Sequence, residues 1–210
     1  MAELTFTDPA ERENLGAFVA RAVRLDQQAV VRLRARGDGA VEAWVSTPFD
    51  VLATRSARAE LTPTDVTVAA PDLLAGLAVA RDDSIDPGHP RDMQWRSPLP
   101  PAKHWQVVDH VPAKTIAELA DKGLAVAREN VGPQGTPPAS LLDQTVLTVE
   151  GDGLAVKVPL RCLFALSGMG FLAEPDDTHI RITATDAWMR LDARYGAVVR
   201  RRHALLPLLV

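Results

Sequence analysis

The chain has 210 residues, of which 47% are hydrophobic and 24% charged, and carries a formal net charge of −4. That balance is typical of globular proteins and excludes wholesale disorder, a collagen-like repeat or a coiled coil, while the length suits one large domain or two small ones. An acidic chain exerts no overall attraction on a polyanion, so nucleic-acid binding would need a local basic patch.

The first element is a helix over residues 9–25. Asp8 is a good N-cap, Pro9 takes the first helical position and Glu11 lies in the first turn, while Leu15, Phe18, Val19, Ala22 and Val23 recur at helical spacing. Residues 29–35 then alternate Val31, Leu33 and Ala35 with Arg32, Arg34 and the following Arg36, the period of a half-buried strand. Gly37-Asp38-Gly39 reverses the chain and Val41, Ala43 and Val45 return, which makes a β-hairpin. Further strands are expected at 49–61 and 65–69, parted by Thr62-Pro63-Thr64, and a short helix at 71–80.

Residues 81–112 carry Pro87, Pro90, Pro98, Pro100, Pro101 and Pro112 together with Trp95 and Trp105. The prolines break regular elements and the tryptophans resist solvation, so this stretch is expected to be an ordered connector without regular structure. A helix is expected over 113–130 and a Gly/Pro linker over 131–139, followed by a second hairpin, 146–149 with 154–158, around Gly151-Asp152-Gly153. An apolar helix over 159–172 ends at Gly168 or Gly170, and strands at 179–183, 187–193 and 197–203 form a meander. Alternating strands joined by tight turns favour antiparallel sheets with one wet face and helices on the other. The expected fold is therefore α+β in two similar halves, 1–80 and 113–210, joined by the connector 81–112.

Little in the sequence points to catalysis. Cys162 is the one cysteine, so no intramolecular disulfide forms, and its neighbours Leu160, Leu163, Phe164 and Leu166 mark it as an inert core thiol. His89, His104 and His110 fall in the connector beside Asp86, Asp92 and Asp109, without the spacing of a compact zinc site. Ser167-Gly168-Met169-Gly170 lacks the lysine and context of a phosphate loop, no Gly-x-Ser-x-Gly elbow is present, and Arg36-Gly37-Asp38 is explained by turn geometry. No metal or cofactor is expected. Residues 1–8 are polar and acidic, unlike a leader peptide, and no segment approaches the roughly 18 apolar residues of a membrane helix. A cytoplasmic protein is the resulting expectation.

Of the 23 basic residues only Lys103, Lys114, Lys122 and Lys157 are lysines, a bias expected of a high-GC genome. The strings Thr47-Pro48-Phe49-Asp50-Val51-Leu52, residues 160–171 and Trp188-Met189-Arg190-Leu191-Asp192 resemble conserved-hypothetical proteins of actinobacteria. That resemblance implies a lineage and transfers no functional residue.

Three functions follow as expectations. The first is a non-enzymatic interaction protein, a homodimer or the partner of another protein, whose apolar surface comes from Trp95 and Trp105 or from the tail residues Leu208 and Leu209. The second is a nucleic-acid-binding module using sheet-borne arginines: Arg32, Arg34 and Arg36 from one strand, Arg190 and Arg194 from another, and Arg200, Arg201 and Arg202 from the last. The third is an enzyme with a cleft between the halves lined by His104, Asp109 and His110.

Overall fold

The computed structural model describes residues 2–80, 82–130, 137–173 and 176–202. It divides into two compact units, Met1–Pro98 with Gly168–Gly170, and Leu99–Ser167 with Phe171–Val210.

The first unit runs β1 (Glu3–Phe6), α1 (Pro9–Leu25), β2 (Val30–Ala35), β3 (Ala40–Thr47), β4 (Val51–Thr62), β5 (Asp65–Ala69), α2 (Ala70–Val79) and β6 (Ser84–Ile85). Its sheet has the order β5-β2-β3-β4, β1 pairs with the C-terminal half of β4 and with β6, and these pairings are antiparallel. The Asp8 carboxylate accepts the Ala10 N–H at 2.7 Å, so α1 starts where the sequence signals place it. Leu15, Phe18, Val19 and Ala22 form the buried stripe of α1, which packs beside α2 and over β3 and β4. Val31, Leu33, Val41, Ala43, Val45, Val66 and Val68 face these helices from the sheet, since directly opposed residues of an antiparallel pair share a face. The exposed edge of β5 is partly covered: the Thr67 N–H donates to Asp92 Oδ1 and its carbonyl accepts the Arg91 N–H, each at 2.7 Å.

The second unit runs β7 (Gln106–Pro112), α3 (Ala113–Glu129), α4 (Ala139–Leu142), β8 (Thr145–Gly151), β9 (Leu154–Pro159), α5 (Leu160–Gly168), β10 (His179–Ala184), β11 (Trp188–Ala193) and β12 (Gly196–Arg201). Its sheet has the order β12-β11-β10-β7, with β8 and β9 as a separate hairpin. Ile180, Ile182, Leu191 and Val198 line one side of the sheet, and with Ile116 of α3 and Leu163 and Leu166 of α5 they are fully buried. Two glycines permit close packing. A Cβ at Gly123 would overlap the end of the Leu160 side chain, and one at Gly151 would overlap the Val108 carbonyl of β7. At the end of α5 the Phe171 N–H reaches the Leu166 carbonyl at 2.8 Å past Gly170, whose φ of 65° is the left-handed stop of a helix terminus.

The fold is thus α+β, with antiparallel sheets built from hairpins and helices on one face. β1, β6, α4 and β7 are not among the expected elements. β1 is a four-residue alternation, Glu3-Leu4-Thr5-Phe6, with Leu4 and Phe6 turned inward and held by pairing with β4. β7 lies inside the stretch expected to lack regular structure: Pro112 sits at the strand's last position, where the ladder loses little, and Val108 and Val111 turn inward.

Candidate functional site

The register of β2 decides what its arginines can do. Arg32 lies opposite Thr67 and Trp44, and Arg34 opposite Asp65 and Glu42, all on the sheet face away from the helices. Arg32 makes a two-pronged contact with Asp65, Nε to Oδ1 and the terminal nitrogen to Oδ2, both at 2.8 Å, and Arg34 reaches the same carboxylate at 3.2 Å. Hydrogen bonding from Arg32 holds the Asp65 carboxyl below its ordinary value despite the opposing effect of burial, and Asp65 in turn raises Arg32. Arg36 pairs with Asp38 at 2.8 Å and with Glu42 at 3.5 Å, and Glu42 also accepts the Trp44 indole N–H at 3.3 Å. Each of the three arginines therefore meets a carboxylate on the surface that would have to attract a polyanion.

In the second unit Arg190 meets Asp192 at 2.7 Å and Arg181 meets the same carboxylate at 3.3 Å. Arg200 and Arg201, adjacent on β12, point to opposite faces of the sheet. Arg200 turns to Asp143 at 3.5 Å, which also holds the buried Arg161 at 2.7 Å. Arg201 stacks over Trp188 with its guanidinium 4.9 Å from the ring centre, and Arg194 lies 5.5 Å from that of Tyr195. Arg202 donates to the carbonyls of Thr185 and Ala155 at 2.9 and 2.7 Å. The run Arg200-Arg201-Arg202 does not form one basic row.

Trp44 and Trp188 are both buried. Trp95 and Trp105 are half-buried, their indole N–H groups donating to the carbonyls of Ser97 and Pro101. Around them Met93 and Val107 are exposed, Met93 almost completely. Leu208 and Leu209 lie outside the described residues. Asp109 and His110 are neighbours on β7 with side chains on opposite faces, and Asp109 accepts the backbone N–H of His110 at 2.7 Å instead of meeting its imidazole. His104 is exposed. Among the described residues no group of three or more His, Cys, Asp or Glu side chains is placed to hold a metal ion. Cys162 is fully buried in α5. No helix of the described residues is long and apolar enough to cross a membrane.

The outer faces of the helices supply a surface that the sequence reading did not single out. On α1 the exposed residues include Ala10, Glu13, Ala17, Ala20 and Arg24, and on α2 they include Ala75, Ala78 and Val79, the last 76% exposed. α2 carries no basic residue, and on α3 Lys114, Lys122 and Arg128 are matched by Glu118, Asp121 and Glu129. Neither helical surface is basic.

The fold is similar to that of bacterial sliding clamps. Similar solved structures include a beta sliding clamp of Caulobacter crescentus with polyethylene glycol bound to its putative beta-motif tethering region (14% identity, 98% of this chain and 66% of that one, TM-score 0.61). They also include the DNA polymerase sliding clamp of Bacillus subtilis (12%, 97% and 65%, TM-score 0.59). A third is the DnaN sliding clamp, DNA polymerase III subunit beta, of Bartonella birtlesii bound to griselimycin (13%, 96% and 64%, TM-score 0.57). This chain thus spans just under two thirds of the length of these clamps. Residues 100–205 match the model of a domain of unknown function, DUF8185, and the chain belongs to that family; residues 1–97 match a second, DUF8010. No curated protein matches the chain. The resemblance to an actinobacterial family, read from short strings, is corrected by the architecture, which recurs in clamps of Caulobacter, Bacillus and Bartonella.

Proposed function

We propose that this protein is a non-enzymatic, clamp-fold interaction protein that associates with itself or with another protein and does not ride on nucleic acid. The observation that carries this reading is the disposition of charge. A protein that slides on a duplex must present cations to phosphates without reading bases, and each such contact releases counterions. Here the sheet arginines Arg32, Arg34, Arg36 and Arg190 are engaged by Asp65, Asp38, Glu42 and Asp192. The exposed residues of α2 are apolar apart from Asp72 and include no cation, and those of α3 are charge-balanced. The fold of a clamp is a scaffold on which different sites can be mounted, so the likeness carries architecture and the surface carries the function.

The test is fluorescence anisotropy with a labelled DNA duplex at low and high salt, alongside light scattering on the same protein. The expected result is no salt-dependent duplex binding. Affinity that falls steeply with salt would overturn the reading and return the arginine faces to the leading role.

A further inference from the structure

The outer face of α1 has a pattern that matches itself in reverse. Ala10, Glu13, Ala17, Ala20 and Arg24 are spaced 3-4-3-4 along the helix and all are exposed, opposite the buried stripe of Leu15, Phe18, Val19 and Ala22. That spacing lines residues along one seam, as in helix pairs packed side by side. If two copies of α1 run antiparallel about a centre between Ala17 and Ala20, Ala17 meets Ala20 of the second copy. Glu13 then meets Arg24 of the second copy, and symmetry repeats both contacts. The small alanines permit close approach and the charges at either end are complementary. Among the described residues neither Glu13 nor Arg24 takes part in an ion pair, whereas the sheet arginines do. A two-fold axis between the two helix layers that also crosses α2 would bring its exposed Ala75, Ala78 and Val79 toward their counterparts.

We infer that this helix layer is the self-association surface of the protein and that its occupant is a second copy of the same chain, packed antiparallel through α1. The inference rests on the interaction reading above and specifies its partner and surface. The 17 residues of α1 span about 25 Å and the shorter α2 about 15 Å, so at a helix width of about 10 Å they bury roughly 400 Å² per protomer. That total of roughly 800 Å² is below the size of stable specific interfaces and sets a weak, reversible, concentration-dependent dimer rather than an obligate one.

The experiment is sedimentation equilibrium on the full chain and on Glu13→Arg, Arg24→Glu and the double variant. The changes are at exposed positions, and circular dichroism checks that each variant folds. Each single change places like charges at both symmetry-related contacts and should weaken the dimer about tenfold or more. The double variant, and an equimolar mixture of the two singles, restore opposite charges and should recover association. A wild-type chain that stays monomeric throughout, or a double variant as weak as the singles, overturns the proposed surface. A wild-type dimer indifferent to all the changes overturns this surface while leaving the interaction reading intact. Salt-sensitive duplex binding, measured separately, overturns that reading itself.

Discussion

Asp65 joins two arginines of β2, and its replacement by asparagine isolates the worth of that cluster. The variant keeps the shape of the side chain but removes the charge that receives Arg32 at 2.8 Å and Arg34 at 3.2 Å. Arg32, Arg34 and Asp65 retain 30%, 45% and 37% of their side-chain exposure, so solvent screens the contacts and each falls in the range of exposed pairs, about 0.2–1 kcal/mol. With two pairs lost and two cations left side by side on one strand, the expected destabilisation at neutral pH is about 1 kcal/mol. Its pH dependence follows from the sign of the shift. The folded carboxyl titrates below its ordinary 3.8, so the contribution is complete above that value and is lost as the pH falls through the folded value. Urea unfolding of wild type and Asp65→Asn, at neutral pH and again below about pH 4, reads this directly: the gap should narrow on acidification. Equal stability at neutral pH, or a gap that does not respond to acid, would refute the account of Asp65 as the anchor of this face.

Two further outcomes follow from packing. Gly151→Ala places a methyl group against the Val108 carbonyl, a backbone atom that cannot swing aside, and should cost about 1–3 kcal/mol by thermal or urea unfolding. Gly123→Ala, which meets only the flexible end of Leu160, should cost less, and the reverse order would contradict the packing described here. Cys162 should resist a thiol-specific reagent in the native protein and react once denaturant is added, because it has no exposed surface; rapid native labelling would show that α5 is accessible.

Local signals carried much of the fold. The Asp8-Pro9 start of α1, the two Gly-Asp-Gly hairpins and the alternation of β2 with β3 all depend on interactions within a few residues, and the elements form there. β1 carries only four alternating residues, Glu3-Leu4-Thr5-Phe6, and its place in the sheet comes from β4, more than fifty residues away. β7 was obscured by the prolines around it, although Pro112 occupies a strand end that tolerates one. The candidate surfaces divide on the same line. Asp192 lies two residues from Arg190 on β11, a spacing that shares a face in an extended strand, and Asp38 lies in the turn just after Arg36, so both partners are visible in the sequence. Asp65 and Asp143 reach their arginines only through tertiary register, so their neutralising role could not be read from composition.

That difference explains why a count of arginines overstated the basic surface. On a strand, alternate residues share a face, so Arg32 and Arg34 do lie together, yet so do the residues that register brings across from β3 and β5. Beside Arg34 those are Glu42 and Asp65, and the face that receives three cations from β2 and its turn receives as many carboxylates from Asp38, Glu42 and Asp65. On β12 the error has the opposite origin, since three consecutive arginines cannot share a face of an extended chain: Arg200 goes to Asp143 and Arg201 to the ring of Trp188. The exposed charges of α1, Glu13 and Arg24, have no such answer among the described residues, and their fixed spacing about Ala17 and Ala20 is what a second copy of the same helix, reversed, would satisfy.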